Sequence, residues 1–256
     1  MAISDLSITE VKDLVNNSPI KNLVKLLELI EQDERKGIRN LHSTILRKIK
    51  VEEDRLKRKS LLLKKERKLW TEGCLRLGGI DEAGRGPLAG PVVAACVIFN
   101  PHEYIEGVDD SKKLSPAKRE MLFKMIMDQA VAVGIGCVDA GEIDRVKILN
   151  ATRIAMEKAA SKCSPYLDFL LVDAMEGQFP VPYLSIVKGD TRSHSIAAAS
   201  IIAKVTRDRE MLKWHKIYPQ YNFCKHKGYG TADHIEAIRE YGLCPIHRRT
   251  FTHRLI

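Results

Sequence analysis

Gly78-Gly79-Ile80-Asp81-Glu82-Ala83-Gly84-Arg85-Gly86-Pro87 is the stretch on which the reading of this 256-residue chain turns. An apolar run from Gly78 to Asp81 predicts a strand, two adjacent carboxylates close it, and a glycine-rich turn follows. Successive strand side chains point to opposite faces. Asp81 and Glu82 can therefore meet at one ion only if the strand ends or bends there, or if one of them offers its backbone carbonyl. The glycines make a bend inexpensive. The same letters also suit an exposed turn carrying two solvated acids, so the stretch needs support from elsewhere in the chain.

Downstream, apolar runs alternate with helical periods. Val92–Phe99, Val131–Val138, Phe169–Val172 and Leu184–Val187 read as strands. Ser115-Pro116 opens a helix to about Ala130, with serine as cap and proline in the first turn. Further helices are predicted over 150–163, with Ile154, Ala155 and Ala159 on one face, over 195–217 with a buried Ala/Ile-rich first half, and over 231–241 behind Thr231. This order indicates an α/β sheet with helices on its faces. Two more carboxylates stand just past apolar strands: Asp173 after Phe169–Val172, and Asp190 in Lys188-Gly189-Asp190 after Leu184–Val187. Strand ends in such a sheet face one crevice. Clustered acids repel until a cation arrives, and hard oxygen ligands favour Mg²⁺ or Mn²⁺ over zinc.

Gly79 to Ala94, beginning Gly-Ile-Asp-Glu-Ala-Gly-Arg-Gly-Pro, resembles the first signature of the ribonuclease HII family. Six more stretches match that family in order: Asp110-Ser111-Lys112-Lys113-Leu114, the strand-end Val172-Asp173, Lys188-Gly189-Asp190, Ser200 to Asp208 (SIIAKVTRD), His226 to Thr231 (HKGYGT) and His247-Arg248-Arg249. The similarity spans about Leu77 to Phe251. It implies a ribonuclease H fold, a central mixed β-sheet flanked by helices, here with an N-terminal helical extension. It further implies hydrolysis of the RNA strand of RNA–DNA hybrids and incision 5′ of ribonucleotides embedded in duplex DNA, leaving 5′-phosphate and 3′-hydroxyl ends. Its metal-binding, catalytic acids correspond to Asp81, Glu82, Asp173 and Asp190, and imply two Mn²⁺ or Mg²⁺ ions when substrate is bound. The Gly84-Arg85-Gly86 turn corresponds to the reader of the 2′-hydroxyl, the group that separates RNA from DNA. Tyr229 corresponds to the residue stacking on the next deoxyribose, and Arg85 and Lys112 to phosphate contacts. Lys188 and Arg192 are weaker phosphate candidates. Arg207 and Asp208 read equally as an ordinary surface ion pair.

Net charge is +9, and residues 1–76 hold 18 basic and 12 acidic side chains, a net of +6. Leu23, Leu26, Leu27 and Ile30 repeat at helical spacing, and a second helical segment over about 40–70 turns strongly basic. Residues 1–76 are thus expected to form a charged helical extension, either a solvated helix or a surface that attracts phosphates, and 77–256 the catalytic domain. Neither a signal peptide nor an apolar run of bilayer length is evident, which suggests the cytoplasm, with a monomer as the default and any replication or repair partner open. Six cysteines without a CxxC pair suggest free thiols, with Cys96 and Cys137 inside strands.

Other constellations compete. Cys224, His226, Cys244 and His247 stand in a loosely zinc-like order without a recognised spacing, and Ser193-His194-Ser195 could suggest hydrolase chemistry without a nucleophile elbow. A ribonuclease HIII-like specificity disagrees with the Gly-Arg-Gly turn. A non-catalytic hybrid-binding module disagrees with four retained acids.

Overall fold

The computed structural model describes residues 3–253 and 255, with the backbone alone for Ser4. The chain falls into two compact units, Met1–Leu61 and Leu62–Ile256. In the first, α1 (Ile8–Asn17) starts in a capping box: Glu10 N–H donates to Ser7 Oγ, and Ser7 N–H to Glu10 Oε2. α2 (Ile20–Glu31), α3 (Lys36–Arg39) and α4 (Leu41–Leu62) follow. Val11, Val15, Leu23, Ile30, Ile38 and Ile45 form a small core, with Leu26 and Leu27 at its margin. The segment read as one helix over 40–70 breaks at Leu63, where Leu62 and Leu63 are both buried. The helix beyond the break, α5 (Lys64–Thr71), belongs to the second unit. There Leu69 packs on a cluster of Leu171, Ile186 and Ile196.

The second unit is built on five strands: β1 (Leu77–Ala83), β2 (Val92–Ile98), β3 (Ala132–Val138), β4 (Phe169–Asp173) and β5 (Tyr183–Ile186), in the order β3-β2-β1-β4-β5. β2 pairs antiparallel with β1 and β3, while β4 runs parallel to both β1 and β5. The sheet is therefore mixed, with β1 at its centre. Every residue of β2 is buried, as expected of an apolar run covered on both faces.

α6 (Pro116–Gln129) starts at a Ser115 cap, and the short α7 (Ala140–Val146) was not evident in the sequence. α8 (Ile148–Cys163) covers one face of the sheet, with Ala151, Ala155 and Ala159 buried against Ile80, Val92 and Val172. α9 (His194–Ile217) and α6 cover the other, with Ala197, Ala198, Ile201 and Leu122 against Ala95 and Val97. Gly79 allows the first turn of α9 to lie directly on β1: a Cβ there would stand 2.1 Å from the Ser195 carbonyl carbon. α10 (Phe223–His226) and α11 (Ala232–Tyr241, capped by Thr231) close a third cluster around Tyr221, Phe223, Met211 and Ile238, while Phe251 of α12 (Arg249–Thr252) packs against the cluster under α8.

All six cysteines are free. Cys96 is buried as expected, whereas Cys137 is exposed: it lies near the end of β3, an edge strand with no neighbour on one side. No helix among the described residues is long and apolar enough to cross a membrane.

Candidate active site

β1 and β4 run side by side in parallel, and their paired register ends at Ile80↔Val172. The next residue on each strand is an acid, so Asp81 and Asp173 emerge at the same end of the sheet. β1 does not stop at Glu82, as one reading of the sequence required; it continues to Ala83, paired with Val93 of β2. On the β4 side, however, β1 is unpaired beyond Ile80, which leaves room for both carboxylates to reach the end of β4. One carboxylate oxygen from each of Asp81, Glu82 and Asp173 lies within 4.8 Å of the other two, the only such group of three or more potential metal ligands among the described residues. Asp190 lies outside that group, buried in the short Gly189–Thr191 helix after β5. Gly189 N–H donates to Asp173 Oδ1 at 2.6 Å, which links the two acidic segments. Ala174 (φ 41°) and Lys188 (φ 55°) hold left-handed backbone beside these acids, a strain that concentrates at functional sites.

Asp81, Glu82 and Asp190 hold their protons above the ordinary range. Burial raises Asp81 well above it, with the charges of Glu82 and Asp173 adding to the shift. Burial also raises Glu82, against the opposing pull of Arg85, whose Nη1 lies 3.4 Å from Glu82 Oε1. Burial and the nearby Asp110 raise Asp190. Like charges pressed together in a low-dielectric pocket favour neutral forms until a cation enters. Hard oxygen donors with unsatisfied negative charge suit a divalent cation of the Mg²⁺ or Mn²⁺ type.

Beyond the acids opens a cleft of about 410 Å³ lined by Glu82, Gly84, Arg85, Gly86, Lys112 and Tyr229, among others. Two buried arginines hold its glycine turn and the segment that follows it. Arg248 donates Nη2 to Gly84 O (2.6 Å), Nη1 to Arg85 O (2.8 Å) and Nε to Gly90 O (3.0 Å). Arg207 donates Nε to Pro91 O (3.0 Å), Nη2 to Ala89 O (3.1 Å) and Nη1 to Lys227 O (3.0 Å). Gly84 has φ +96°, and a Cβ there would fall 2.1 Å from Arg207 Nε, so only glycine fits. Burial and the neighbouring Arg207 pull Arg248 down to about 9, which leaves it charged at neutral pH.

Tyr229 is 45% exposed at the mouth of the cleft, with the Arg207 guanidinium 5.9 Å from its ring centroid. A line of hydrogen bonds reaches its backbone. Cys244 N–H donates to His247 Nδ1 (2.9 Å), so His247 bears its proton on Nε2 and donates to His234 Nε2 (3.0 Å). His234 then donates from Nδ1 to Tyr229 O (2.9 Å). Burial pulls both histidines down to about 4, so the line is neutral under ordinary conditions. Gly228 and Tyr229 also sit beside the post-turn segment, where Leu88 N–H donates to Gly228 O and Arg248 N–H to Leu88 O.

These contacts correct several expectations. Arg207 is 1% exposed, and Asp208 pairs with Lys204 at 2.8 Å, so Arg207 and Asp208 form no surface ion pair. Cys224 donates to Asn222, Cys244 bonds His247, and His247 bonds His234, and the four zinc-like residues form no metal-ligand group among the described residues. Ser193 and Ser195 are buried at the start of α9, and His194 Nε2 accepts Ile105 N–H, which gives all three structural duties. Lys112 is exposed, 3.9 Å from Asp190 Oδ2; partial burial works against its charge, yet Asp110 and Asp190 hold it above its ordinary value. Lys188 and Arg192 are exposed beside the acidic turn. Arg207, Arg248 and His234 were missed as builders of the site. The signal that could have found them is the surplus of backbone carbonyls in a glycine turn, which need donors when buried.

Sequence profiles described as Ribonuclease HII and Ribonuclease HII N-terminal domain match residues 78–254 and 7–70. The second profile therefore takes in α5, which packs with the sheet. A Ribonuclease HII of Clostridioides difficile (strain 630) is 46% identical over 99% of this chain and 100% of its own length. One of Geobacillus kaustophilus (strain HTA426) is 53% identical over 88% of this chain and 86% of its own. Among solved structures, the ribonuclease H2 from Pyrococcus horikoshii OT3 superposes with a TM-score of 0.59 at 28% identity, covering 71% of this chain and 97% of that one. The structure described as the PCNA:RNase HII complex from Archaeoglobus fulgidus gives 0.59 at 26% identity, over 68% and 94%. With a mixed sheet that gathers acids at its strand ends and these relatives along nearly its whole length, the chain belongs to the ribonuclease HII family of endoribonucleases.

Proposed function

We propose that the cleft cuts the RNA strand of RNA–DNA hybrids and incises 5′ of ribonucleotides embedded in duplex DNA, leaving 5′-phosphate and 3′-hydroxyl ends. The observation that carries this reading is the placement of three strand-end carboxylates within 4.8 Å at one end of a cleft whose other wall is the arginine-held glycine turn. Asp81, Glu82 and Asp173 would hold the cation site, with Asp190 as a further ligand once substrate is bound. Two divalent ions, Mn²⁺ or Mg²⁺, supply Lewis acidity at the scissile phosphate when substrate is bound. Gly84, Arg85 and Gly86 present backbone groups to the 2′-hydroxyl. Tyr229 stacks on the sugar one step beyond, and the side chains of Arg85 and Lys112 hold flanking phosphates.

The basic region preceding the sheet adds to hybrid affinity through phosphate contacts, in a cytoplasmic enzyme that works as a monomer. A chain beginning at Leu62 is the fair comparison for that role, because cutting at Leu77 would also strip Leu69 from Leu171, Ile186 and Ile196. The activity is tested on a duplex bearing one ribonucleotide, incubated with and without Mn²⁺. Incision at the ribonucleotide only with the metal is expected. Intact duplex under both conditions, with long hybrids still cut, would overturn the assignment of the glycine turn.

A further inference from the structure

α5 buries a glutamate on the face it turns to the catalytic domain. Glu66 is 2% exposed. Its Oε1 accepts Ser193 Oγ–H at 2.6 Å, Ser195 Oγ–H at 3.2 Å and the Ser195 amide at 3.3 Å, while Oε2 is buried without a hydrogen-bond partner. Ser193 is the N-cap of α9 and Ser195 lies in its first turn. The carboxylate thus caps, from another element, a 24-residue helix whose N-terminus favours negative charge. A buried carboxyl with one empty oxygen is a costly way to pack a helix, and burial accordingly raises its proton affinity.

What the contact holds is the turn that carries Asp190. Ser193 N–H donates to Gly189 O at 2.9 Å, and Gly189 N–H donates to Asp173 Oδ1 at 2.6 Å. Three hydrogen bonds therefore run from Glu66 through Ser193 and Gly189 to Asp173, and Asp190 follows Gly189 in the turn that lies between the two backbone donors. We propose that Glu66 is a positioning residue for the cation site: by fixing the Gly189–Ser193 turn from α5, it sets the carboxylates of Asp173 and Asp190 in register for divalent ions. The proposal rests on reading those two acids as metal ligands. It gives the N-terminal region a part in catalysis that is separate from any phosphate contact, because the partners of Glu66, Ser193 and Ser195, are not among the residues that line the cleft.

The test uses the full chain with Glu66→Ala, Glu66→Asp, Glu66→Gln and, as a control on the ligands, Asp190→Asn. For each, the Mn²⁺ concentration giving half-maximal cleavage, kcat, KM for a hybrid and Tm are measured. Outer partners of metal ligands shift metal affinity by about 10–100-fold. Glu66→Ala is expected to raise the half-saturating Mn²⁺ about tenfold and lower kcat, with KM for the hybrid unchanged. Glu66→Asp, whose carboxylate falls one methylene short of Ser193, shifts it in the same direction and serves alone if the alanine variant does not fold. Glu66→Gln keeps an acceptor oxygen and recovers most of the loss. A lowered Tm with wild-type Mn²⁺ dependence in the alanine and aspartate variants would reduce Glu66 to a packing residue and overturn the proposal. If Asp190→Asn leaves Mn²⁺ dependence unchanged, the ligand reading itself fails; if Asp190→Asn shifts it and the Glu66 variants do not, only the positioning role fails.

Discussion

At the acidic end of the cleft, Asp81, Glu82 and Asp173 bring like charges together, and burial holds the protons of Asp81 and Glu82 above the usual carboxylate range. At the glycine-turn end, Arg207 and Arg248 also bury like charges, yet each donates three hydrogen bonds to backbone carbonyls. The first end is electrostatically incomplete without a cation. The second is satisfied by the protein's own backbone. The difference separates two kinds of work: stabilising charge that develops in a reaction, which calls for a cation from outside, and holding a turn rigid enough to read a hydroxyl, which calls for internal donors.

Removing one acid should damage chemistry and spare binding. Asp173→Asn is expected to lower kcat by about three orders of magnitude, the scale on which a preorganised transition-state stabiliser acts, while hybrid affinity measured in chelator stays at the wild-type value. Wild-type turnover in this variant would break the contrast at its acidic end.

Removing one arginine should do the reverse and strike folding first. Arg248→Met leaves the carbonyls of Gly84, Arg85 and Gly90 without that donor, at about 1–3 kcal/mol for each that stays buried and unpaired. Denaturant unfolding is expected to show a loss of that order. In the fraction that folds, incision at a single ribonucleotide should fall more than cleavage of a long hybrid. Equal loss on the two substrates would show that the clamp does not serve recognition of the junction.

The smallest expected effect concerns stability and pH. A carboxyl with a raised folded-state pKa stabilises the fold below its ordinary value, near 3.8 for Asp81, and that stability disappears as pH rises through the elevated value. Metal-free Asp81→Asn should therefore melt above the wild type at neutral pH. The gap should close on acidification toward the ordinary carboxylate range. Mn²⁺ should reverse the order, because the asparagine lacks the charge the ion needs. Melting curves with chelator and with Mn²⁺ across the range from about pH 5 to 8 check this, and an Asp81→Asn variant that melts below the wild type throughout would remove the idea of stored repulsion.

The sequence by itself determined the α/β class, four of the five strands to within two residues, the capped starts of α6 and α11, and the acids that stand at strand ends. Those features are local: alternation, caps and breaks act over a few residues and leave their mark in order along the chain. Only the tertiary structure decided that β1 and β4 lie side by side, so that two acids 92 positions apart share one pocket. It alone decided that Arg207 turns inward rather than pairing with Asp208, and that Glu66 of a basic helix is buried against Ser193. Nothing in the immediate neighbourhood of Arg207 or Glu66 distinguishes them from solvated charges, because the partners of Arg207 lie 20 to 118 residues away and Ser193 lies 127 residues from Glu66. A charged side chain carries its preference for a partner in its own atoms, but which distant group satisfies it is fixed by the packing of the sheet and its helices.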